Sequence, residues 1–326
     1  MKLPIGFGNK FFFRVIFPGA ILSGGLFKPT YILAVHGQAV DHLQLILAAE
    51  TFIFGWCFVV LDMPIYMLFE GRRYWPVWAL RIFQRMERQR LASLHRIMRA
   101  FEARQASGKT RFQRKTAGRH YLEAAVEISN FPLDTSRSMP EVAWPTRLGN
   151  LIGAYEQYPS IKYGIDAVFF WPRIWVSIDQ PLREEIDNQQ AQADGLLYSV
   201  VAFVLSGAAF AAYHLADLKW PAGSSAQILN AIDVPASVAC FVMAYVVYRL
   251  LLQTHRQFGE LFKATFDQHK DKLALEENLR LVAQISGDPG LLTEIDHKKN
   301  VAVWRFLRWH RVRFRGQTTN RRVRMP

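Results

Sequence analysis

Leu196 to Tyr213 is an 18-residue run without a charged side chain, and Val234 to Tyr248 is a second run of 15. A hydrocarbon core about 30 Å thick is crossed by roughly 20 apolar residues at about 1.5 Å each. Inside it every backbone N–H and C=O needs a partner from the same element, which only a helix or a closed barrel supplies. Two such runs separated by a short loop read as a transmembrane hairpin. The expected fold class is all-α: a multi-pass α-helical membrane protein with a basic helical cytoplasmic domain under a transmembrane hairpin.

Charge is distributed as unevenly as hydropathy. Forty Lys and Arg stand against 27 Asp and Glu, a net of +13. Fourteen of the basic residues lie between Arg72 and Arg119, opposed only by Glu87 and Glu102, a local net of +12. From Val301 onward there are eight arginines and no acid. Positive blocks resist translocation and meet anionic lipid, so both are expected on the cytoplasmic side of a bacterial inner membrane. The loop around Asp41 has no Lys or Arg, and the loop from 217 to 233 has one Lys and two Asp. Those belong outside. Four crossings with both termini cytoplasmic satisfy every loop.

This divides the chain into five stretches. Residues 1–69 form an N-terminal membrane region and 70–195 a cytoplasmic helical domain. Residues 196–252 are the hairpin, 253–290 a helix extension and 291–326 a basic aromatic tail. The first apolar region, Phe11 to Val35, is broken by Arg14, Pro18-Gly19, Gly24-Gly25 and Lys28-Pro29. It reads as a bent span or a re-entrant helix, and a re-entrant helix would move the N-terminus across. Leu43 to Phe69 is a second apolar region with a kink expected at Pro64. Helices are expected over Trp78–Arg104 and Ala117–Ser129, with 105–115 as a break, and from Pro145-Thr146 to about Tyr158. The helix starting after Pro181 should run on into the third span, and the fourth span should continue to about Gln284.

Catalytic signals are weak. Ala103 to Thr110 fits a relaxed phosphate-loop pattern, but a basic helix precedes it where a buried strand is needed, so an exposed turn is the better reading. The nine histidines show no ligand spacing, and no G-x-S-x-G appears. Cys57 and Cys240 fall in apolar runs, where they read as small buried hydrophobes. The start lacks an A-x-A site, so no cleavable signal peptide is expected. No catalytic residue, cofactor, metal or disulfide is expected, and the chain does not read as an enzyme.

Other signals point to the membrane. Glu50 and Asp62 are intramembrane carboxylates, which suggest an ion or proton path. The alternative is an interfacial position, or pairing with Arg14 or Arg249. Trp304 and Trp309 are interleaved with the tail arginines, chemistry that serves either nucleic acid or an anionic membrane surface. In a tethered chain, lipid is the favoured partner. Ala202 and Ser206, with Ala236, Cys240 and Ala244, recur at four-residue spacing, as close-packing helix faces do, and suggest a homo-oligomer.

The most distinctive text is Pro145-Thr-Arg147-Leu-Gly-Asn150, then Tyr163-Gly-Ile-Asp166, Trp171-Pro-Arg173-Ile-Trp175, and Phe258-Gly-Glu260 through Asp267. Over roughly 145–275 it resembles an uncharacterised bacterial multi-pass membrane protein family. That family carries a PTRLGN…YG-D…WPR-W segment before a transmembrane hairpin and a YGEL…FD segment after it. Phe258 stands where the pattern has Tyr. The resemblance implies no activity. Arg147, Asn150, Asp166, Arg173, Glu260 and Asp267 are motif or ion-pair candidates, and Trp171 and Trp175 are candidate interfacial aromatics. The expected role is a self-associating interaction or regulatory module of unidentified protein partner. A channel or pore-forming effector is the alternative, and a membrane-tethered nucleic-acid binder a minor one.

Overall fold

The computed structural model describes residues 8–108, 110–134, 139–217, 224–287, 289–292, 303–304 and 306–308. These are nearly all helix. The exceptions are turns and a two-residue antiparallel ladder pairing Leu133–Asp134 with Met139–Pro140. Among the described residues three helices are long and apolar enough to cross a membrane, within Val40–Val60, Gln180–Leu215 and Asp233–Leu273. A fourth crossing exists only if the bent pair Phe12–Gly25 and Phe27–His36 counts as one span. Two compact units emerge: residues 1–69 with 184–258, and residues 70–183 with 259–326.

The first unit opens with a π-helical turn, Phe12–Ile16, that runs into α1 (Phe17–Gly25). Helix α2 (Phe27–His36) leaves at an angle of 67°. The bend follows from sequence. Gly24-Gly25 is a poor helix former, and Pro29 has no N–H for the Gly25 carbonyl. Helix α3 (Leu43–Val60) is separated from α4 (Asp62–Glu70) at Leu61. Pro64 explains this break, because it cannot donate to the Val60 carbonyl four residues earlier. Helices α9 (Gln180–Asp217) and α10 (Ser224–His269) supply the hairpin.

Small residues set the packing of this unit. A methyl at Gly19 would overlap the Thr51 carbonyl, and one at Gly25 would overlap Ser206. In an apolar solvent, close backbone approach of this kind replaces the hydrophobic effect as the force between helices. Ala202, Ser206 and Ala244 are buried within the chain, and Gly207 lies against Cys240 and Phe241. Most of the small-residue face expected to serve assembly is therefore used internally. Cys57 is exposed rather than buried, and Cys240 is half-buried.

In the second unit α5 (Val77–Ser107) folds back on α6 (Arg111–Ile128) around Leu91, Ile128, Phe131 and Val142, with Leu94 and Met98 alongside. Within the expected break at 105–115, α5 continues to Ser107 and α6 already begins at Arg111. Thr110 and Gln113 form a reciprocal capping box that starts α6 at Arg111. Helix α7 (Arg147–Tyr163) and helix α8 (Ala167–Ser177) follow, α8 continuing through Pro172. The fourth long helix does not reach Gln284 unbroken. It stops at His269, and α11 (Leu275–Ser286) begins after Ala274, which takes a left-handed φ of 48°. Leu273 is buried there and the Lys272 ammonium donates to the Ser177 carbonyl, so tertiary contacts stabilise a turn that no Gly or Pro announces.

Candidate functional site: the polar core of the apolar unit

Five carboxylates lie buried or half-buried among the described residues of the first unit, and each meets a donor from another segment. Arg14 holds Asp194 through two nitrogens, Nη2 at 2.6 Å and Nε at 2.8 Å from Oδ2. The Tyr66 hydroxyl donates to Asp194 Oδ1 at 2.7 Å and lies 3.3 Å from His255 Nε2. A hydroxyl has one proton, so the His255 contact requires Nε2–H as donor. The other ring nitrogen, Nδ1, is buried and without a hydrogen-bond partner among the described residues. Arg14, Asp194, Tyr66 and His255 thus form a continuous chain across four segments. One turn along α9 from Asp194, Tyr198 donates to Asp62 at 2.7 Å and stacks on Phe58. Lys10 pairs with Asp187 at 2.8 Å.

A second polar cluster sits at the bend between α1 and α2. Thr30 Oγ1 donates to Glu50 at 2.7 Å and Ser23 Oγ at 3.2 Å. Lys28 pairs with the buried Asp233 at 3.1 Å and lies over the Tyr213 ring. Desolvation penalises an isolated charge heavily, so these pairings are what make the carboxylates tolerable in an apolar setting.

The expected partners are therefore corrected. Glu50 is held by hydroxyls, not by Arg14 or Arg249, and Asp62 by Tyr198. Arg14 belongs to Asp194, which sequence reasoning passed over, and Arg249 donates to Tyr245. The available signal was modest: an Asp two residues before an uncharged run, and one Arg breaking another apolar region.

The motif residues of the second unit make separate contacts rather than one ion-pair network. Thr146 caps α7 by accepting from Gly149 N–H at 2.9 Å. Asn150 accepts from Trp144 N–H at 3.0 Å and donates to its carbonyl at 2.9 Å. Gly164 ends α7 with a left-handed φ of 69°, and Asp166 starts α8 by accepting from Phe169 N–H. Asp166 also meets Arg308 at 3.4 Å. Arg147 lies 3.6 Å from Glu87, Arg173 stacks on Phe169, and Glu260 pairs with Lys263. Asp267 ties α10 to three side chains of α7, accepting from Tyr158, Tyr163 and Lys162. Trp171 packs on Phe262, Phe266 and Trp175 in an aromatic cluster, with Trp171 and Trp175 both half-buried. Trp304 is half-buried beneath Arg308. Trp309 and the tail beyond it lie outside the described residues.

Glu70 and Arg72 form an ion pair that extends from Arg72 to Glu156 at 2.6 Å, with the guanidinium over Trp144. Burial pushes the Glu70 carboxyl up to about 7, against the pull of Arg72 and with the repulsion of Glu156.

Among the described residues no group of three or more His, Cys, Asp or Glu has the geometry to hold a metal ion. No family model, curated protein or solved structure matches the chain.

Proposed function

We propose that the chain is a multi-pass protein of a bacterial inner membrane, with both termini cytoplasmic, that works as a non-enzymatic anchor. In this reading it holds a basic helical unit at the membrane as an interaction or regulatory module. The observation that carries the reading is the pairing of Glu50, Asp62, Asp194 and Asp233 with donors from other helices of the same chain. A conducting path needs polar groups facing a water-filled lumen. Carboxylates held by neighbouring helices instead fasten those helices together. The arginine-rich 72–119 segment supports the orientation, with that segment inside.

Two measurements test this. Reporters fused after Gln38, Thr110, Ser224 and Pro326 should read out, in, out, in, and a periplasmic signal at Thr110 would overturn the orientation. Purified protein in planar bilayers should give no single-channel steps. Steps whose cation selectivity changes with Glu50→Gln or Asp62→Asn would replace the anchor with a pore.

A further inference from the structure

The long basic helix α5 carries its charge in a pattern. Arg81, Arg85, Arg88, Arg96 and Arg99 are all exposed. At about 100° per residue they share an arc of roughly 80°, in a stripe about 27 Å long. None of the five meets a carboxylate among the described residues, whereas Arg90, on the packed side, is held by Glu87 and Glu127. Five aligned, unneutralised guanidinium groups repel one another and destabilise an isolated helix, so the stripe gains most when an opposing negative surface covers it.

The side chains beside the stripe say what kind of surface. Trp78, Ile82 and Met86 follow one another along one flank and are 67%, 50% and 55% exposed. The partner helix α6 repeats the mixture, with Leu122 and Val126 exposed on the face that carries Lys115 and Arg119. A nucleic-acid backbone rewards the arginines but leaves exposed Trp, Ile and Met in water. A bilayer surface rewards both, since headgroup phosphates meet the arginines while apolar side chains enter the acyl boundary. In sequence only six residues separate the end of α4 from the start of α5.

We infer that the α5–α6 hairpin docks flat on the surface of a bilayer rich in anionic phospholipid, through the Arg81–Arg99 stripe and its Trp78–Ile82–Met86 flank. This rests on the membrane-anchor reading and gives the basic unit its partner. The full-length chain, with Cys57→Ser, Cys240→Ser and Met86→Cys carrying an environment-sensitive fluorophore, is placed in phosphatidylcholine nanodiscs with or without phosphatidylglycerol. The label should shift to the blue, and be quenched by spin-labelled lipid, only in the anionic discs, and high salt should reverse both changes. Each arginine removed should weaken the docked state about fivefold, so R81Q/R85Q/R88Q should abolish the shift. Identical emission in both discs, a shift that survives the triple variant, or a shift produced in neutral discs by duplex DNA would overturn the inference. Release of the chain from membranes by alkaline wash would defeat the anchor reading alone. The released chain should still float with phosphatidylglycerol vesicles and not with phosphatidylcholine vesicles, and failure to do so would sink the docking as well.

Discussion

In the apolar unit Arg14 and Lys28 each meet a carboxylate whose side chain is only 5% exposed. In the basic hairpin Arg81, Arg85, Arg88, Arg96 and Arg99 stand in solvent with no such partner among the described residues. The difference follows from the cost of desolvation. A charge removed from water must be matched at once by its own protein, so it becomes part of the architecture. A charge left in water costs little and remains available to something else. Arginine is therefore structural in one unit and presented in the other, and substitutions should separate the two.

The largest effect is expected at the Arg14–Asp194 pair. Arg14→Met leaves a buried carboxylate without its counter-ion and should cost about 3–5 kcal/mol, read as a lowered melting temperature in nanodiscs. The double variant Arg14→Met/Asp194→Leu should recover most of that loss, because neither charge is then stranded. If the single and double variants melt alike, the pair is not what holds these segments together.

The second unit has one buried carboxylate that should show itself through pH. Glu70 has an ordinary value of 4.5 and a folded-state value of about 7. Between them the folded state binds more protons than the unfolded one, so stability falls as pH rises across this window. The contribution is full below 4.5 and lost above 7, on the order of 3 kcal/mol. Glu70→Gln should flatten that slope in a denaturant series followed by Trp fluorescence. An unchanged slope would place the titration elsewhere.

Packing comes next. Gly25→Leu drives a side chain into Ser206 and should cost about 1–3 kcal/mol, with partial rescue by Ser206→Gly. Light scattering adds a second readout. If Gly25→Leu changes only the oligomeric state and not the melting temperature, the small-residue face serves assembly after all.

The smallest effects contrast two polar positions outside the apolar unit. Asn150→Ala strands the Trp144 backbone groups and should cost about 1–3 kcal/mol. Arg85→Gln, in the exposed stripe, should fall within about 0.5 kcal/mol of wild type. A large loss at Arg85 would mean that the stripe is built into the fold rather than presented by it.

Uncharged runs of 15 and 18 residues, a +12 block and paired prolines and glycines made the helical class legible. They also marked the breaks near Leu26 and Leu61, whereas the stop and start around Gly164 and Asp166 came only with the structure. Each of these is decided within a few residues, by propensity, a missing N–H or a cap. Pairing is decided across the chain. Asp194 finds Arg14 about 180 residues away, and that choice depends on which helices pack side by side. The turn at Ala274 likewise owes nothing to its own composition, because buried Leu273 and the bond from Lys272 to Ser177 impose it. Sequence alone determined the helical class, the breaks near Leu26 and Leu61 and which faces are charged, because those are local energies. Tertiary structure alone decided which charges are spent inside the protein and which are left facing out, because desolvation depends on neighbours distant in sequence.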